Sequence, residues 1–233
     1  MNTIALLIAV IILSILCIII FGIACSFAYS TTFPCFPLVP IHTRNVLLEH
    51  LHKICDILET NQVEYTISGG TLLGSVRCQH IIEYDNDTDI NILETDIERV
   101  TEILTKEENI DVVNVDFGIQ VHGDNVYLDI FALVLQDNGE LWNRETNNTY
   151  HNGCRAKNHI KLDEWKNKEK IFMLNNYLFY GIANPHRYLS KCYGTSYMVN
   201  AVVYPAHGTS VSSVLSQNVG RFGKFLVSKG KNR

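Results

Sequence analysis

The chain opens on one long apolar block and then breaks into short amphipathic segments. Ile4 to Ala28 is almost wholly apolar, and no charged side chain stands between Asn2 and His42. A run of about 25 such residues exceeds the ~20 needed to cross a bilayer core. A cleaved signal peptide would have a shorter apolar region behind a basic start, and Met1-Asn2-Thr3 is not basic. Residues 1–30 are therefore expected to form an uncleaved transmembrane signal-anchor. Residues 31–41, where Phe33 to Pro40 carries three prolines, read as a stalk.

Beyond the stalk the periodicity changes. Leu47, Leu48, Leu51, Ile54, Cys55 and Leu58 follow helical spacing and predict a helix over His42–Thr60. Val63–Ser68 reads as a strand leading into a Gly69-Gly70 turn, with a short helix over Thr71–Cys78. Asp85–Ile92 alternates acidic and apolar positions, which predicts a strand with Ile90 and Ile92 on its buried face. Thr95-Asp96-Ile97-Glu98 matches a capping box at the start of another helix. Two apolar runs, Val112–Val121 and Val126–Val134, flank a hairpin turn at His122-Gly123-Asp124-Asn125. Ile171–Leu178 and Tyr180–Ala183 suggest a smaller hairpin. Pro185 and Gly194 bracket a last helix. The mixture predicts an α+β catalytic domain over residues 42–205, one domain's worth of chain, with a basic tail at 206–233.

Charge is split along the 233 residues. Residues 1–169 hold all 24 acidic groups against 11 basic ones, and Lys170 to Arg233 holds eight basic groups and none acidic. Lys229, Lys231 and Arg233 read as a solvated tail. For Arg187 and Lys191, attraction to a phosphate-bearing substrate or an anionic membrane surface is as much expected as a solvated position. The seven cysteines have no framework spacing, so no disulfide map follows.

Candidate chemistry concentrates between Ser68 and Ile92. Asp85, Asp87 and Asp89 alternate, so an extended backbone projects them from one face, where they repel one another unless a cation sits among them. Asp129 is the lone charge in the apolar run Val126–Leu133, and an unpartnered buried carboxylate costs several kcal/mol. By itself it could equally face solvent from an edge strand or pair with an arginine. Beside Asp87 and Asp89 it reads as the third ligand of a divalent metal site.

These elements resemble, in order, the signature of the LicD/fukutin family of the nucleotidyltransferase superfamily. GGTLLGSVR (Gly69–Arg77) is similar to the family's GGTLLGAVR, and YDNDTD (Tyr84–Asp89) to its W-D-D-D-I-D segment. Leu128-Asp129-Ile130-Phe131 matches its D-I-F element, and PHRYLSKCYG (Pro185–Gly194) its P-x-x-Y-L-x-x-x-Y-G element. The resemblance covers about Val46–Gly194. Asn86 replaces the family's second Asp, Glu83-Tyr84 its Pro-Trp, and Thr195-Ser196-Tyr197 the usual acidic residue and Trp. Asp85 is left uncertain as a ligand by the first of these.

The resemblance implies a nucleotidyltransferase-like mixed sheet flanked by helices. It implies transfer of a phosphorylated small alcohol, such as phosphocholine or ribitol phosphate, from a CDP-activated donor to a glycan hydroxyl. Asp87, Asp89 and Asp129 would hold Mg²⁺ or Mn²⁺. Gly69, Gly70 and Arg77 would bind the phosphates, and Asp129 would also take the acceptor's proton. Transfer of the nucleotide itself, or a non-catalytic glycan-binding protein with the same fold, are the alternatives, as is an ion pair of Arg77 with an acid such as Glu94. Nucleic acid is not an expected partner.

The sequon Asn147-Asn148-Thr149 favours a luminal domain in the Golgi or endoplasmic reticulum, while Arg44 and Lys53 weakly favour the cytosolic side. His151, Cys154 and His159 read as surface residues rather than a zinc site. Cys78 has no base nearby in sequence and reads as packing.

Overall fold

The computed structural model describes residues 12–22, 39–83, 85–144, 159–198, 200–203 and 215–218. Pro37–Met198 is one compact unit. Its order is α1 (Ile41–Thr60), β1 (Tyr65–Ile67), α2 (Gly69–Arg77), β2 (Thr88–Leu93), α3 (Ile97–Leu104), β3 (Asp111–Val115), β4 (Gly118–Gly123) and β5 (Val126–Leu135). There follow β6 (Glu140–Asn143), β7 (Ile160–Lys161), α4 (Leu162–Lys166), β8 (Glu169–Leu174), β9 (Tyr177–Gly181) and α5 (Pro185–Tyr193). In the remaining unit, residues 12–22 are helical, and β10 (Asn200–Val203) pairs antiparallel with β11 (Leu215–Asn218). Among the described residues no helix is long and apolar enough to cross a membrane. Most of the segment expected to span lies outside them.

The mixed α+β architecture is as expected. Its frame is a seven-stranded sheet ordered β1-β2-β5-β4-β3, with β6 and β7 continuing from β5. The β2–β5 pair is parallel, and the others are antiparallel. One sheet face is dry. Leu47, Leu51, Ile54 and Leu58 of α1 join Ile90, Ile92, Ile119, Val121, Leu128 and Ile130 in a single core. The helical stripe meets the period-two face of the strands, and each fully buried aliphatic side chain contributes about 1.5–3 kcal/mol. His50 is the polar exception. Burial holds its imidazole below the usual range, and its Nε2 donates to the Val121 carbonyl at 3.2 Å.

Several element boundaries differ from the sequence reading, each for a local reason. The acidic strand begins at Thr88, not Asp85, because Asp85 N–H closes a turn onto Ile82 O (3.0 Å) and β5 offers a partner from Thr88 onward. The Thr95–Glu98 capping box does not form. A 3₁₀ turn over Glu94–Asp96 leads into α3, and Asp96 makes no side-chain cap. The run Val112–Val121 is two strands, turning at Asp116-Phe117. The Asp124-Asn125 turn has φ of 51° and 62°, as a two-residue hairpin loop of mirror-image type needs. The second hairpin exists but turns at Asn175-Asn176, four residues before the expected break. Pro185 starts α5 as anticipated, capped by Asn184 Oδ1, which accepts from Arg187 N–H.

Gly118 makes the β3–β4 turn possible. Its φ is +152°, and a Cβ there would stand 2.2 Å from the Ile130 carbonyl oxygen, a backbone atom. Gly118→Ala is therefore expected to cost about 2 kcal/mol, seen as a lower denaturant midpoint with unchanged slope.

Candidate functional site

The parallel pairing of β2 with β5 sets Asp89 opposite Asp129. Adjacent strands lie about 4.8 Å apart, so same-face side chains at paired positions meet. Asp87 joins them from the segment just before β2, and one oxygen from each of the three carboxylates lies within 4.8 Å of the others. Asp89 and Asp129 are each 6% exposed, whereas Asp87 is half-buried. At that separation each pair of unit charges repels by on the order of 3 kcal/mol in a medium of effective dielectric near 20. Three buried or half-buried oxygen ligands converging on one point suit a hard divalent cation.

Asp89 is stitched to the start of α2. Its backbone N–H donates to Thr71 Oγ1 (2.8 Å), its carbonyl accepts from Ser68 N–H (2.9 Å), and its Oδ2 accepts from Gly70 N–H (3.1 Å). The Gly70 amide, expected to meet phosphate, thus orients a carboxylate. A Cβ on Gly70 would lie 2.1 Å from Asp85 Oδ2, so the glycine lets the Asp85 carboxylate rest against the helix start. There the helix dipole favours negative charge. Asp85 is placed over α2 and is not one of the three converging ligands. Ser68 Oγ, buried at the same N-terminus, has no hydrogen-bond partner among the described residues.

Arg77 lies seven positions beyond Gly70 along α2, about 10 Å of rise. It is 9% exposed, and its Nη1 donates to Tyr197 O at 3.5 Å. Glu94 pairs with Arg144 instead, at 2.8 Å. Arg187, read as a possible phosphate contact, is engaged by Glu164 and by the carbonyl of His159 (2.9 Å). Cys78 does have an imidazole neighbour, His80 Nδ1 at 3.5 Å, two residues further on. That nitrogen also lies 2.7 Å from Ile81 O, which can only accept, so it carries a proton and is no base for the thiol. His159 pairs with Glu140 and packs beside Trp142; His151, Cys154 and the Asn147 sequon lie outside the described residues. Cys192 is disulfide-bonded.

Two polar residues of the site escaped the sequence reading. Gln120 stands opposite Asp129 on β4, and its Nε2 donates to Asp129 Oδ1 at 2.8 Å. His122, two residues on, meets Gln120 Oε1 at 2.8 Å. The alternation Gln120-Val121-His122 in an otherwise apolar strand was the available signal. Tyr127 completes the cluster. Burial, followed by the charges of Asp87, Asp129, Asp89 and Asp85, pushes its phenol pKa up.

Two uncharacterised rickettsial proteins are similar to the chain. One, from Rickettsia typhi (strain ATCC VR-144 / Wilmington), is 25% identical over 74% of this chain and 52% of its own length. The other, from Rickettsia prowazekii (strain Madrid E), is 27% identical over 74% and 62%. The chain thus spans about half to three-fifths of these relatives. Among solved structures, the lincomycin-bound lincosamide antibiotic adenylyltransferase LnuA is 18% identical over 64% of this chain and 94% of that one, with a TM-score of 0.42. A putative nucleotidyltransferase from Thermotoga maritima is 14% identical over 63% and 83%, with a TM-score of 0.38. The model of the LicD/FKTN/FKRP nucleotidyltransferase domain matches residues 62–185, from the β1 approach to the first residue of α5 and including all three aspartates. This match covers more than half of the chain, which therefore belongs to the LicD/FKTN/FKRP family.

Proposed function

We propose that the protein is a membrane-anchored, divalent-metal-dependent transferase that moves a phosphorylated small alcohol from a CDP-activated donor to a glycan hydroxyl. The observation that carries this reading is the convergence of Asp87, Asp89 and Asp129 on one point. Family membership supports a transferase of the phosphotransferase or nucleotidyltransferase type.

The oxygen-only donor set fits Mg²⁺ or Mn²⁺, and the three aspartates would hold it. Such an ion, when bound, supplies charge neutralisation on the donor's diphosphate. The chain's own groups do the rest. Gly70 and Thr71 fix Asp89, and Gln120 fixes Asp129. The Ser68 hydroxyl and the Gly69 amide at the α2 N-terminus would donate to phosphoryl oxygens. Arg77 contributes if the donor extends along α2. Asp129 accepts the proton of the attacking hydroxyl as its oxygen bonds to phosphorus and the bond to CMP breaks.

Two features support a luminal domain tethered by residues 1–30. One is the Asn147 sequon, and the other is the disulfide at Cys192, a bond that persists in oxidising compartments.

The test is to incubate the purified full-length protein with Mn²⁺, a mixture of glycans and a panel of CDP-alcohols, and to identify products by mass spectrometry. Metal-dependent CMP release with a glycan gaining a substituted phosphate is expected. Pyrophosphate release from nucleoside triphosphates would indicate nucleotidyl transfer instead. A folded, metal-bound protein that turns over neither would be a binding protein.

A further inference from the structure

We propose that the groove beside the acid cluster docks the acceptor, and that it recognises the hydroxyl groups of a sugar ring. This rests on reading the three aspartates as the transfer centre. Strand register creates the groove. Across β3, β4 and β5 the paired positions Asp111, His122 and Tyr127 form one row, and Gln120 with Asp129 forms part of the row two residues along. The first row, with Asn109, Gly123 and Asn125, lines a cavity of about 530 Å³. That volume falls within the ~300–1,000 Å³ typical of small-molecule sites.

Two links join the groove to the aspartates. Tyr127 lines it from the same face of β5 as Asp129, two residues before it, with its ring 5.9 Å from that of His122. His122 lines it and is connected to Asp129 through Gln120. A carboxylate can only accept, so the Gln120 amide must turn its NH₂ toward Asp129 and its oxygen toward His122. His122 Nε2 therefore carries a proton and donates to Gln120. In the neutral ring, Nδ1 is then the acceptor. The chain of bonds links the imidazole, through Gln120, to the carboxylate that accepts the nucleophile's proton.

The chemistry of the lining selects the occupant. Among the described residues its lining holds no Lys or Arg and carries the Asp111 carboxylate, and Asp129 is reached from it through His122 and Gln120. A phosphate-bearing donor would be repelled there, so the donor belongs at the α2 N-terminus and the groove is left for a neutral partner. The Asp111 carboxylate, the carboxamides of Asn109 and Asn125, and the Tyr127 phenol offer paired donors and acceptors next to an aromatic face. Those are the groups that read a ring bearing several hydroxyls.

The test uses the full-length protein in detergent with Mg²⁺ and an equimolar mixture of methyl glycosides of common hexoses, pentoses and N-acetylhexosamines. Saturation-transfer NMR is expected to show at least one glycoside bound. In Asp111→Ala/Asn125→Gly, whose substituted positions are exposed and whose glycine keeps the positive φ of the turn, affinity should fall about tenfold as two hydrogen bonds are lost. Thermal melts check that the variant folds. No bound glycoside on the wild type, or binding unchanged in the variant, overturns the inference. Mn²⁺ binding is measured on parallel samples by electron paramagnetic resonance. A failed metal centre overturns both readings, while intact Mn²⁺ binding with a failed groove overturns this one alone.

Discussion

Asp87→Asn, Asp89→Asn and Asp129→Asn should each abolish transfer and, with it, the rise in melting temperature that Mn²⁺ plus a cytidine nucleotide gives the wild type. The metal-free proteins should behave in the opposite sense. Three carboxylate oxygens held within 4.8 Å of one another repel, and replacing one with a neutral carboxamide relieves part of that. Each variant should therefore melt at or above the wild-type temperature in chelator and gain nothing from Mn²⁺. Activity should fall by several orders of magnitude, because the charge on the donor diphosphate would no longer be neutralised. Asp129→Asn carries a second penalty, since it also removes the proton acceptor. Equal stabilisation of the wild type and all three variants by Mn²⁺ would remove the metal site. Lower stability of the variants in chelator would mean that the aspartates hold the fold together instead.

Gln120→Leu separates the fixing of Asp129 from its charge. The substitution keeps all three carboxylates but removes the donor to Asp129 Oδ1 and the acceptor for His122. Mn²⁺ stabilisation should survive, weakened, while turnover falls further than metal affinity does. A second-layer partner of this kind is commonly worth ten- to a hundredfold in affinity or activity. Parallel losses in both would place Gln120 with the ligands rather than behind them.

The sequence disclosed the site better than it disclosed the frame that builds it. Asp87 and Asp89 were legible through their alternation, and Asp129 because a charge in an apolar strand is costly and so stands out. What brings Asp129 beside Asp89 is the parallel register of strands 40 residues apart, and no local pattern encodes that. Gly70 was legible as a site of close approach, but the approaching group is the Asp85 carboxylate. Gly118 hid a turn because the alternation of Asn114, Asp116, Gly118 and Gln120 with apolar residues continues straight through it, as in one unbroken strand. Gln120 and His122 look unremarkable along the chain, and they acquire roles once Asp129 is across from them. Arg187 shows the converse error. A basic residue in a basic region read as a solvated group or as a contact for phosphate or membrane, yet its acidic partner lies 23 residues earlier.

That partner, Glu164, gives the largest expected effect on stability. Glu164 lies on α4 and Arg187 on α5. Arg187 Nε meets Glu164 Oε1 at 2.7 Å, its Nη2 pairs with Oε2, and the side chains are 7% and 20% exposed. Burial works against ionisation of Glu164. Hydrogen bonds from Arg187 and the Lys161 amide outweigh it and hold the carboxyl below its ordinary 4.5. A depressed folded-state pKa means stability that is fully present above about pH 4.5 and is lost as pH falls through the lower folded value. Glu164→Gln should therefore cost about 3 kcal/mol at pH 7, because it leaves the guanidinium buried without its counter-charge. Its stability should also fall less steeply than the wild type's below pH 4.5. Glu164→Leu/Arg187→Met removes both charges at once and should recover most of the loss, since an apolar pair of similar volume avoids the desolvation cost. Urea unfolding at pH 7 and pH 3.5 measures all of this. A Glu164→Gln protein as stable as wild type at pH 7 would show that the pair contributes nothing to joining α4 to α5.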